Sequence, residues 1–207
     1  NISFRLNKDD KVVVLGENEN AVTGLLSVLS GSVIADKGQI RWGSTVHKID
    51  LPKDITSYFV GDENIIEWLA NYSTEKDYTF LRGFLGRMLF SGDDANKSVR
   101  VLSGGEKVRC MMSKMMVEGG NVILFDEPTS ALDPEMIGEV TNLMREIAKD
   151  GMTMIIVSHE MNFIKNFCTR VLFMDDGKII EDGTSKEIFN HPKDGRLISF
   201  LSKIKNI

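Results

Sequence analysis

The sequence predicts an α/β fold: a mainly parallel sheet with helices on both faces, accompanied by a helical subdomain. Three observations predict it. Short apolar runs, "KVVVLG" from Lys11, "NVILFDEP" from Asn121 and "MTMIIVS" from Met152, read as buried strands. Segments with apolar residues at helical spacing alternate with them, the order that builds parallel pairs. A glycine-led loop at Gly16 stands between the first strand and the first helix, where such a sheet receives phosphate.

In chain order, "NISFRLNKDD" reads as strand and turn, so the chain is expected to begin inside a fold. The strand from Lys11 ends at Gly16, and Val22, Leu25, Leu26 and Leu29 then mark a helix that stops at Ser30 and Gly31. "GQIRWGS" and "ITSYFV" read as strands, with helical pieces over Ile65 to Leu69 and Phe80 to Phe90. From Ser103 a helix is marked by Val108, Met111, Met112, Met115 and Met116, a methionine stripe that suits core packing. Asp133 and Pro134 open another helix, with Ile137, Val140, Met144, Ile147 and Ala148 on its apolar face and Gly151 at its end. "RVLFMDDGKIIEDG" reads as a hairpin turning at Asp176 and Gly177.

At 207 residues the chain is expected to form one domain, with the helical subdomain over about 62–118. Its 25 basic and 30 acidic residues leave a net charge of −5, which excludes bulk electrostatic attraction to nucleic acid, and no direct DNA binding is expected. Cys110 and Cys168 have neither metal-ligand spacing nor a framework of partners and read as buried thiols in a reducing compartment. No apolar run is long enough to span a bilayer and no secretory signal opens the sequence, so a cytoplasmic location is expected.

Five segments carry chemistry in order: "LGENENAVTGLL" from Leu15, "LSGGE" from Leu102, "ILFDEP" from Ile123, "SALD" from Ser130 and "VSHE" from Val157. A strand ending in two acids puts both at the carboxyl edge of a parallel sheet, where ligands of α/β proteins bind, although an acidic turn before Pro128 is the plainer alternative. "SGGE" is also a capping box, with Ser103 and Glu106 as its partners. His159 could equally cap the following helix, and Asp133 suits an N-cap.

The ordered set resembles the nucleotide-binding domain of ABC-type ATPases, which are P-loop NTPases. That resemblance implies ATP and Mg²⁺ as ligands. It assigns Gly16, Asn18, Ala21, Val22, Thr23 and Gly24 to the phosphate loop, and Thr23 and Asp126 to the metal. It makes Glu127 the base that orients water and His159 a contact of the terminal phosphate. Ser103, Gly104, Gly105 and Asp133 would serve a nucleotide held by a second domain, so the implied assembly is a head-to-tail dimer.

The chain departs from that family in three places. In the loop G-x-x-x-x-G-K-[ST], Ala21 replaces the second glycine, Val22 replaces the lysine and Gly24 stands where threonine is usual. Glutamine usually follows a strand near "SYFVGDEN", and Gly61 is expected at that position. The strand carrying the adenine-stacking aromatic is expected before "NISF" and is not in the sequence. ATP binding is therefore expected to be weak and hydrolysis poor, with a non-hydrolysing structural or interaction module as the alternative.

Residues 1–128 resemble the second domain of ABC-F proteins, through "GENE", "RWG", "FLRGFLGRMLFSG" and "LSGGEKVRCMMSKMM". Residues 129–205 resemble the ATP-binding subunits of polar amino-acid importers, through "TSALDPEMIGEVTNLMREIAKDGMTMIIVSHEM" and "FMDDGKIIEDGTSKEIFNHP". A composite chain with its seam near Pro128 to Ala131 is expected, natural or engineered, with a ribosome or a membrane permease as the partner each half implies.

Overall fold

The structure, a computed structural model, describes residues 2–130 and 132–205. Asn1, Ala131, Asn206 and Ile207 lie outside them, and Ala131 belongs to both the "SALD" segment and the expected seam. The elements run β1 (Lys11–Gly16), α1 (Glu19–Ser30), β2 (Lys48–Leu51), α2 (Ile65–Ala70), α3 (Tyr78–Arg87), α4 (Gly104–Val117), β3 (Val122–Asp126) and α5 (Pro134–Lys149). They continue as β4 (Thr153–Val157), α6 (Met161–Phe167), β5 (Arg170–Asp175), β6 (Lys178–Thr184), α7 (Ser185–Asn190) and α8 (Gly195–Lys205).

The strands form a six-stranded sheet in the order β2-β3-β4-β1-β5-β6. Five are parallel, and β6 returns antiparallel to β5. Successive residues of β1 serve opposite faces: Val12 and Val14 join Val22, Leu26 and Leu29 of α1, while Val13 and Leu15 face the larger core containing α4 and α5. Burial on both sides explains why these strands read as continuous apolar runs. The β5–β6 turn is as expected, with Asp176 and Gly177 both at positive φ (46° and 66°), the backbone of a two-residue hairpin loop.

Several expectations are corrected. "GQIRWGS" forms no strand, and "ITSYFV" holds a 3₁₀ turn over Thr56–Phe59. The strand of this region is β2, only four residues long, which pairs in parallel with β3 from Lys48↔Val122 to Leu51↔Phe125. Asn121 fixes that pairing: its amide donates to the His47 carbonyl (2.9 Å), and its side chain accepts from the His47 amide and donates to the Thr45 carbonyl. Residues 2–7 form no strand either, although Ile2, Phe4 and Leu6 pack against the α1 core. Asp133 occupies the N-cap of α5, but its side chain makes no capping bond there.

The turn that follows β2 is tied down by Trp68 of α2. Its ring stacks on Phe59 (centroids 4.9 Å apart) and its indole N–H donates to the Tyr58 carbonyl (2.7 Å). Trp68 is 1% exposed, so its removal leaves both a cavity and an orphaned carbonyl. Trp68→Ala is expected to lower the unfolding free energy by about 3–5 kcal/mol in urea titration, and a loss under about 1 kcal/mol would refute this role.

Candidate nucleotide-binding site

The parallel registers bring four strand ends to one edge of the sheet. Leu51 lies beside Phe125, Asp126 beside Val157, and Val157 beside Val14, so Lys53, Glu127, His159 and Gly16 emerge together. The sequence expected three of these four, and Lys53 was missed. The position after the strand that neighbours β3 is occupied by "PK", and Gly61 lies beyond the 3₁₀ turn, where an added Cβ would strike the Glu63 carboxylate. β2 hid because only Ile49 and Leu51 in its four residues are apolar.

Thr23 and Asp126 meet as expected. The Thr23 hydroxyl donates to Asp126 Oδ1 at 3.0 Å. Burial raises the Asp126 carboxyl above the ordinary range; the Thr23 hydrogen bond opposes that shift and the neighbouring Glu127 charge adds to it. Glu127 follows with φ at +47°, a strained value for a residue with a side chain, and its amide donates to the Val157 carbonyl (3.0 Å).

Glu127 is the centre of a charged ring. It is 6% exposed; Oε1 lies 2.9 Å from His159 Nε2, and Oε2 contacts the Lys53 ammonium. Glu19, in the first turn of α1, completes the ring, with Oε1 3.4 Å from His159 Nε2 and Oε2 3.8 Å from Lys53 Nζ. The hydrogen bond to Glu127, more than any other influence, raises the Lys53 pKa. The His159 contact is close without being well aligned, so Glu127 Oε1 remains a buried acceptor with no hydrogen bond. Glu19, Glu127 and His159 bring ligand atoms within 4.8 Å of one another, but Lys53 already supplies counter-charge there. Thr23 and Asp126 are the better-placed pair for a hard cation.

The loop differs from the expected cradle. α1 already begins at Glu19, and Asn18 caps it: Asn18 Oδ1 accepts from the Ala21 amide (3.2 Å), and the Asn18 carbonyl accepts from the amides of Ala21 and Val22. The Val22 side chain is 2% exposed and packs with Leu26, Val12 and Met174 instead of facing a ligand. Gly16 is required sterically, since a Cβ would meet the Met174 carbonyl oxygen at 2.8 Å and Val22 Cγ2 at 2.9 Å. Nothing lies within 4 Å of a Cβ at Gly24, so no packing demands glycine there. A pocket of about 130 Å³ beside the loop is lined by Asn18, Ala21, Val22, Met174, Asp175, Asp176 and Gly177.

The remaining residues stand apart from the ring. Ser103 and Glu106 form the full capping box of α4, with the Ser103 amide donating to Glu106 Oε2 (2.8 Å) and the Glu106 amide to Ser103 Oγ (3.3 Å). Ser103 and Gly104 open α4, and a Cβ on Gly105 would meet the terminal methyl of Met136 of α5, which would have to shift. Asp133 accepts through its carbonyl from the amides of Met136 and Ile137. Cys110 and Cys168 are buried, and burial pushes both thiols far up, which makes them inert. Among the described residues no helix is long and apolar enough to cross a membrane.

Residues 1–130 match the family model described as ABC transporter. The chain belongs to the ABC transporter family. It is 43% identical over 191 residues to the Bacillus subtilis "uncharacterized ABC transporter ATP-binding protein YkpA", spanning 91% of this chain and 35% of that protein. It is 53% identical over 103 residues to the arginine transport ATP-binding protein ArtM of the same organism, or 50% of this chain and 43% of ArtM. The ABC chain thus spans less than half the length of either relative. In fold it is similar to a nucleotide-free ATP-binding cassette from an ABC transporter, with TM-score 0.77 and 18% identity over 95% of this chain and 89% of that one. It is likewise similar to a dimeric post-hydrolysis cassette bound to ADP and Pi, with TM-score 0.71 and 16% identity over 89% of each chain. These ABC cassettes share the α/β architecture described above.

The raised Asp126 pKa gives a stability prediction. The folded protein holds this proton to higher pH than the unfolded chain does, so above that interval the ionised carboxylate subtracts stability, and the deficit fades as pH falls through it. Asp126→Asn, which keeps an acceptor for Thr23, is expected to raise the melting temperature at pH 7 without added nucleotide. The gain should shrink by pH 4; a lower melting temperature at pH 7 would contradict the assignment.

Proposed function

We propose that residues 1–207 form one nucleotide-binding domain, with its helical subdomain over about 62–118, that binds Mg-ATP weakly and hydrolyses it slowly. The observation that carries this reading is the meeting of Thr23, Asp126, Glu127 and His159 at one sheet edge. Thr23 Oγ1 and Asp126 Oδ1 are 3.0 Å apart, close to the roughly 2.9 Å edge of an octahedron with ligands at 2.0–2.1 Å, so the pair fits Mg²⁺. When bound, that ion supplies neutralisation of phosphate charge.

The protein's own groups then have distinct tasks. Glu127, buried and with one oxygen lacking a hydrogen bond, is suited to accept a proton from a water it orients. His159, whose Nε2 lies 2.9 Å from Glu127 Oε1, stands beside that carboxylate, where it can donate to the terminal phosphate. Gly16, Asn18, Ala21, Val22, Thr23 and Gly24 form the loop and helix start on the phosphate side. With Val22 in the core, no loop side chain brings a cation. A charged hydrogen bond of this kind contributes about 1.5–3 kcal/mol, so affinity falls roughly tenfold to hundredfold, and the reaction loses charge stabilisation as well.

A second reading has its own support. The amides of Ala21 and Val22 are committed to Asn18, which favours an ABC-shaped module that no longer cradles phosphate. In either case Ser103, Gly104, Gly105 and Asp133 are assigned to the face of a second domain, in a head-to-tail dimer with ATP. A cytoplasmic setting with a membrane permease as partner follows from the importer relatives, and a ribosome partner from the ABC-F likeness of residues 1–128. The composite origin rests on the sequence likenesses alone: YkpA matches 91% of the chain, a span that runs through the expected seam, whereas ArtM matches half of it at higher identity.

Steady-state turnover of Mg-ATP tests the reading. The chain is expected to show slow release of phosphate that Glu127→Gln reduces by about 100-fold or to background. Equal rates for both proteins would refute the role of Glu127.

A further inference from the structure

The loop brings no cation, yet the site holds one from another strand. Lys53 leaves β2 two residues after Leu51, and its ammonium contacts Glu127 and lies 3.8 Å from Glu19. It therefore bridges the end of β3 and the first turn of α1, the two walls between which a polyphosphate beside Thr23 and Asp126 would lie. Without it, that ligand would face the carboxylates of Glu19, Asp126 and Glu127. The stem is free to turn: the side chain is 49% exposed, against 6% for Glu127. Lysine suits such a task, being a compact cation with three donors on a flexible chain.

We propose that Lys53 is the phosphate-binding cation of this site, replacing from β2 the charge that the loop lost at Val22. Resting on the nucleotide-binding reading above, the proposal has Lys53 neutralise Glu127 in the absence of ligand. Lys53 turns to the terminal phosphate when a triphosphate is bound. Because it approaches from the side of Glu127, its contribution falls on the terminal phosphate, so the site distinguishes ATP from ADP.

Isothermal titration of the full chain with Mg-ATP and with Mg-ADP, for the native sequence, Lys53→Met and Lys53→Arg, tests this. The native chain is expected to bind ATP more tightly than ADP. Lys53→Met should weaken ATP about tenfold to hundredfold and leave ADP nearly unchanged, and Lys53→Arg should recover most of the loss. Thermal unfolding of each variant checks that it remains folded, as a half-exposed side chain allows. If the native chain binds both nucleotides and Lys53→Met binds ATP as tightly, Lys53 is only a counter-ion of Glu127 and the proposal falls while the nucleotide reading stands. Equal weakening of ATP and ADP overturns the assignment to the terminal phosphate. If the native chain binds neither at millimolar nucleotide, the nucleotide reading itself fails and takes the proposal with it.

Discussion

The site depends on the parallel pairing of β3 between β2 and β4. That ladder fixes where Asp126 and Glu127 leave the sheet, and because β1 pairs with β4, it also fixes their distance from α1. A slip of one residue in β3 would exchange its faces and withdraw the two acids from Thr23 and His159. Burial of β3 on both faces makes such a slip costly. The hydrophobic core thus does the positioning, and the polar groups at its edge inherit their geometry from it.

At that edge the protein accepts unfavourable features. Burial raises the Asp126 carboxyl above its ordinary range, and Glu127 sits at positive φ with an unsatisfied oxygen. Strain and buried charge of this kind persist when a fold over-determines them, and they collect where ligands bind. The loop shows the opposite tendency. Asn18 satisfies the first amides of α1 and Val22 completes a core, so locally the segment has settled into a well-capped helix. The two halves of the site point different ways: the acids are strained and buried, and the loop is arranged for stability.

Much of this was legible in the sequence because it rests on periodicity and on capping chemistry. β1, β3 and β4 were plain from their apolar runs, α4 from its methionine stripe and its Ser103–Glu106 box, and the β5–β6 hairpin from Asp176 and Gly177. The meeting of Thr23 with Asp126, and of Glu127 with His159, followed from ordered segments and is seen directly. What was not legible was tertiary. β2 is short, with polar alternate residues, and exists because Asn121 and β3 hold it, so "GQIRWGS" and "ITSYFV" were the more tempting strands. The place of Lys53 depends on β2, and it was lost with it. That Val22 packs inward and that Asn18 consumes two amides are also products of the folded loop, which a motif alignment does not show.

The most direct test of the account is the melting temperature of the chain as Mg-ATP is raised from micromolar to millimolar. Under the proposed function, a site that retains Thr23, Asp126, Glu127 and His159 but lacks the loop cation would bind weakly, so the account predicts no shift at low concentration. A rise should follow that continues with the logarithm of ATP once the dissociation constant is passed. A melting temperature unchanged across the whole range would contradict it and leave a family member that keeps the ABC fold without the nucleotide.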